Sequence, residues 1–119
     1  MTTPSQYLLL LLQPGGPPGA VPPNLPEIMG HFKVWMDGLY AKGAVAACQG
    51  LENTGKIVRG PDGATVVDGP YAEAKEVIGG FVLINAAGMD EALAIARGCP
   101  GLAYGMGVEV RPVRAKAGG

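Results

Sequence analysis

Between Gln13 and Pro26 the chain carries six prolines and three glycines. Proline fixes φ and has no N–H to donate, so neither a helix nor a regular ladder can run through such a stretch. The segment 13–26 therefore reads as a proline-rich loop, extended in part in the polyproline manner. What precedes it is only the apolar run Tyr7–Leu12 and a short start, too little to fold alone. That run must be a strand of the same unit that the remaining residues build, and the loop is a flap between first strand and first helix. A single domain spanning 1–119 follows.

The apolar residues of Tyr7–Leu12 do not alternate with polar ones, which marks a strand covered on both faces. A helix is expected from Leu25 to Lys42. Asn24 can cap it, Glu27 follows three residues later, and Pro26 falls in the first turn, where a missing N–H is harmless. Ile28, Phe32, Trp35 and Leu39 share one face, and Gly43 is a natural stop. Val45–Leu51 reads as a second strand. Lys56–Arg59 and Ala64–Val67 flank Gly60-Pro61-Asp62-Gly63 as a hairpin. A short helical turn over Tyr71–Val77, stopped by Gly79-Gly80, is expected before a central strand at Phe81–Ile84. A second helix, Met89–Arg97, ends at Gly98 and Pro100, and Val108–Val113 closes the chain as a strand.

The resulting fold class is α+β, a ferredoxin-like βαββαβ with an inserted hairpin. With 48% hydrophobic and only 16% charged residues, apolar material exceeds what one small core needs. Helices cover one face of the sheet, and a second copy is the expected cover for the other. A homodimer is thus expected.

Charge and motif content narrow the function. The net charge is −1 and the basic residues are scattered singly, so no phosphate-neutralising patch forms and no nucleic-acid partner is expected. The apolar run at Leu8–Leu12 is too short for a span and lacks a basic leader, so no membrane association is expected and the location is taken as cytoplasmic. One histidine and two distant cysteines, Cys48 and Cys99, do not make a metal site, and no metal or other cofactor is expected. Gly105-Met106-Gly107 is too little for a dinucleotide loop, no P-loop lysine motif occurs, and the only serine is Ser5.

The string Val67-Asp68-Gly69-Pro70-Tyr71-Ala72-Glu73-Ala74-Lys75-Glu76, followed by Gly79-Gly80-Phe81, resembles the YCII-related, or DGPF-type, family. Met89-Asp90-Glu91-Ala92, Gly98-Cys99-Pro100 and Val108–Val113 extend the likeness, and Tyr71 stands where phenylalanine is commoner. The resemblance implies a ferredoxin-like subunit paired into a dimeric α/β barrel, with a His–Asp pair in a cleft near the sheet. A relative is credited with eliminating chloride from a hydroxylated aromatic, and others are linked to sigma-factor transcription.

His31 is the only histidine and lies about 80° from the centre of the helix's apolar face, at its margin. It suits a general base there, and equally a boundary residue paired with Glu27. Asp68 can orient that imidazole as a second catalytic residue, or simply accept N–H groups of its turn, which by itself explains Asp-Gly-Pro. Trp35 and Tyr71 are candidate substrate contacts, or ordinary core and surface aromatics. The expected function is a small-molecule-binding protein or cofactor-free enzyme (proton transfer, isomerisation or elimination) acting on a small organic molecule. The alternative is a non-enzymatic accessory or regulatory module.

Overall fold

The structure, a computed structural model, describes residues 5–16, 23–70 and 75–115. The elements in chain order are β1 (Ser5–Pro14), α1 (Leu25–Ala41), β2 (Val45–Gly50), β3 (Gly55–Arg59), β4 (Thr65–Gly69), β5 (Glu76–Ala86), α2 (Met89–Arg97), a 3₁₀ turn (Pro100–Tyr104) and β6 (Gly107–Pro112). Four strands form one antiparallel sheet in the order β2-β5-β1-β6, and β3 pairs with β4 in a separate two-stranded sheet. The protein is α+β, with a mostly antiparallel sheet and two helices compatible with a ferredoxin-like fold.

Side chains of a strand point alternately to opposite faces, and β1 and β5 show what each face meets. Leu9, Val82 and Ile84 are fully buried on the helical side, with Tyr7, Leu11 and Ala86 nearly so. Ala92 and Ala96 of α2, Cys99, and the half-buried Phe32 and Trp35 of α1 close over them. Each buried aliphatic side chain contributes about 1.5–3 kcal/mol. On the opposite face Leu8 pairs with Leu83 and Leu10 with Phe81. These four are only half-buried.

The helix boundaries follow local chemistry. In α1 Pro26 sits at the start, Ile28 and Leu39 are buried, and Phe32 meets Trp35 edge-on at 5.8 Å. Asn24 occupies the N-cap position but makes no side-chain capping bond, and its backbone carbonyl accepts the Ile28 N–H instead. Gly43 follows with φ +70°, the left-handed geometry that glycine supplies cheaply. In α2 Asp90 and Glu91 lie in the first turn and Arg97 in the last, matching the helix dipole at both ends.

Three sequence expectations are corrected. β1 runs two residues into the stretch expected as loop, with Gln13 opposite Val77 and Pro14 opposite Glu76. Glu76 and Val77, expected as the end of a helical turn, are strand, and Tyr71–Ala74 of that turn lie outside the described residues. Gly79-Gly80, expected as a stop, lies inside β5. The pairing with β1 shifts between Leu11 and Leu12, so Leu11 faces Gly80 and Leu12 faces Ile78, and Gly79 is the extra residue of a bulge. Both positions are crowded, Gly79 by a flexible side chain and Gly80 by backbone. A Cβ on Gly79 would stand 2.2 Å from Gln13 Oε1, and one on Gly80 would stand 2.9 Å from the Gln49 carbonyl oxygen.

Candidate functional site

The bulge lies at the floor of a cleft of about 650 Å³ between the first half of α1 and the sheet. Leu11, Phe32, Met36, Cys48 and Met106 are among its apolar walls, while Gln13, Lys33 and Glu52 bring polar groups to it. A largely apolar concavity of this size with few polar groups matches the usual form of a small-molecule site. Methionine side chains are flexible and polarisable, so Met29, Met36 and Met106 can adapt to an occupant.

Several elements position these walls. Gln13 reaches over the bare Cα of Gly79. Met106 follows Gly105, whose φ of +82° ends the 3₁₀ turn, and its N–H donates to the Gly101 carbonyl at 3.1 Å. Gly101 leaves room for the sulfur, since a Cβ there would stand 2.6 Å from Met106 Sδ. Lys33 is held by Asp37 one turn on, at 2.8 Å. The hydrogen bond and charge of Asp37 raise the ammonium further above its ordinary value. Burial pushes the Cys48 thiol up, so it stays protonated at neutral pH and is a weak nucleophile.

The expected site residues fall in different places. His31 is exposed on α1, its ring 6.5 Å from that of Tyr104 in the 3₁₀ turn. Partial burial, then the charge and hydrogen bond of Glu27, raise the Tyr104 phenol. Glu27 thus meets Tyr104, and no ion pair links it to His31. Asp68 is exposed on β4 and pairs across the hairpin with Lys56, whose hydrogen bond and charge hold its carboxyl below the ordinary aspartate value. No hydrogen bond or ion pair joins His31 to Asp68, and neither lines the cleft.

Trp35 lines a second groove, about 640 Å³, between the C-terminal half of α1 and α2, with Gly38, Asn85, Glu91 and Gly98. Tyr71 lies outside the described residues. Among the described residues there is no group of three or more His, Cys, Asp or Glu that could hold a metal. No helix there is long and apolar enough to cross a membrane.

Sequence reasoning did not find Gln13, Cys48 or the three methionines. The one available signal was Gly79-Gly80 within a β-forming run, since glycine inside a strand often marks a bulge or a close approach.

Comparison with known proteins gives two findings. The family model described as YCII-related domain matches residues 18–115. An uncharacterized protein of Rhizobium meliloti (strain 1021) is 49% identical over 49 residues, covering 40% of this chain. The chain aligns with 40% of that relative's own length.

Proposed function

This chain belongs to the YCII-related domain family, and we propose that it binds a small, mainly apolar organic molecule in the cleft between α1 and the sheet. The observation that carries this reading is the cleft itself: about 650 Å³, walled by Phe32, Met36 and Met106, with the Gln13 amide at its floor. Gln13 offers both a donor and an acceptor, which suits an uncharged oxygen or nitrogen function on the ligand. Binding is favoured over catalysis by a His31–Asp68 pair because Asp68 is engaged by Lys56 and neither residue borders the cleft. Cofactor-free proton transfer by His31 then requires that a substrate reach outward from the cleft to the exposed face of α1.

The same reading includes a homodimer. Leu8, Leu10, Phe81 and Leu83 give the uncovered sheet face an apolar centre, and Glu109 and Arg111 at its edge pair with each other at 3.8 Å. An apolar, charge-balanced patch suits a second copy of the same surface.

Thermal melts of the full chain against a library of neutral aromatic and aliphatic metabolites test the cleft. A ligand at a hundred times its Kd stabilises by about 2.7 kcal/mol, roughly 10 °C in Tm for a domain of this length. Met36→Asp should abolish the shift and His31→Ala should leave it intact. Loss of the shift in His31→Ala alone would move the site to the outer face of α1. No shift from any compound would favour the interaction-module reading.

A further inference from the structure

The β3–β4 hairpin stands apart from the rest of the molecule. Among the described residues, no other element makes more than a grazing contact with it. The radius of gyration is 16.2 Å, against roughly 13.5 Å for a compact chain of this length. The molecule is also a slab, 46 × 42 × 18 Å. One face of the hairpin carries the cross-strand pair Val58–Val66, with exposures of 61% and 57%, beside the Lys56–Asp68 ion pair. A lone two-stranded ribbon is marginal in water, and one that shows paired valines to solvent lacks its cover.

We propose that this hairpin is an arm whose Val58–Val66 face packs against a second copy of the chain. The proposal rests on the homodimer reading above and adds a second contact to it. Area argues for it. The four-stranded sheet has central strands of 10 and 11 residues and edge strands of 6 each. At ~3.3 Å per residue and ~4.8 Å between strands, its uncovered face has a planar footprint of about 500 Å². Each subunit would give one arm and receive another, and at two five-residue strands per arm the two arm contacts add about 160 Å² each, enlarging the footprint by more than half. Charge argues for the same occupant. The arm face carries one cation and one anion, as does the edge of the sheet face at Arg111 and Glu109. Such balance fits a self-complementary contact better than a charged partner.

The test is the mass of the full chain by light scattering at low micromolar concentration. The double substitution Val58→Lys with Val66→Glu removes the apolar face and keeps a favourable cross-strand pair, so the ribbon itself is preserved. The wild-type chain is expected at twice 12.1 kDa. The double variant should dissociate about tenfold more readily or worse, with mass falling toward the single chain. A double variant that keeps wild-type mass overturns the arm while leaving the sheet-face dimer standing. Unchanged mass with a lowered Tm also overturns it, because the valines then pack on their own chain. A monomeric wild type overturns arm and dimer together, and the ligand melts still report on the cleft independently.

Discussion

Replacing the two bulge glycines one at a time separates space from flexibility. Neither has a positive φ, so alanine meets no backbone strain at either position. Each substitution narrows the unfolded ensemble and gains about 0.4–1 kcal/mol on that account. The clashes differ in kind. In Gly80→Ala the new Cβ stands 2.9 Å from the Gln49 carbonyl oxygen and 3.2 Å from the Gly50 Cα, both backbone atoms of the paired strand. Relief requires β2 to move off β5, an overpacking cost of about 1–3 kcal/mol. In Gly79→Ala the nearest atoms, at 2.2 Å and 2.6 Å, are Oε1 and Cδ of Gln13, the far end of a flexible chain that can swing aside. Gly80→Ala should therefore lose roughly 1–2 kcal/mol net, and Gly79→Ala should stay within about 0.5 kcal/mol of wild type. Urea unfolding with an unchanged m-value measures both. The swing of Gln13 would show separately, as weakened ligand binding in Gly79→Ala despite its stability. A Gly79→Ala protein less stable than Gly80→Ala would refute the reasoning.

Three further outcomes are expected. Leu9→Ala empties a fully buried position and should cost about 2–5 kcal/mol, whereas Leu10→Ala on the opposite face should cost the single chain far less; chemical denaturation at high dilution checks both. Asp68, lowered by Lys56, contributes stability that is present above its unfolded pKa and lost as pH falls through the folded one. An NMR titration should find it below ordinary aspartates, and Lys56→Ala or high salt should return it. Both thiols are raised by burial, and Cys99 is 3% exposed while Cys48 is half-buried. Disulfide reagents at neutral pH should modify Cys48 slowly and Cys99 more slowly still, and a cleft ligand should protect Cys48 alone.

The central strands and both helices were legible because their signals are local. The unbroken run Leu8–Leu12 announced a strand, though only its Leu9–Leu11 face is buried and Leu8, Leu10 and Leu12 are half-buried. Ile28, Phe32, Trp35 and Leu39 marked the packed face of α1. The candidate cleft was not legible, for a physical reason. Its walls come from β1, α1, β2, β5 and the residue after the 3₁₀ turn. Nothing in the neighbourhood of Met106 shows that it lines the same cleft as Met36. Gly79-Gly80 misled for a related reason. Locally two glycines break structure, but here Gly79 makes room for the Gln13 side chain and Gly80 for the Gln49–Gly50 backbone, which approach from other strands. Asp68 was read within its turn, and its partner proved to be Lys56 on the facing strand.

The bulge also acts as a parity switch. Along β5 the even-numbered residues from Ala86 down to Gly80 are the buried ones, yet beyond Gly79 the odd-numbered Val77 is buried and Ile78 is 46% exposed. Two-residue alternation has no other way to change sides within an unbroken strand. Losing the single residue Gly79 would leave plain alternation, with Gly80 inward, Ile78 outward and Val77 inward as they already stand. Keeping Gly79 but drawing it into regular pairing would instead turn Ile78 inward and Val77 outward. The sheet can therefore absorb a gap of one at this point, whereas an insertion of one beside it would turn the first residues of β5 inside out.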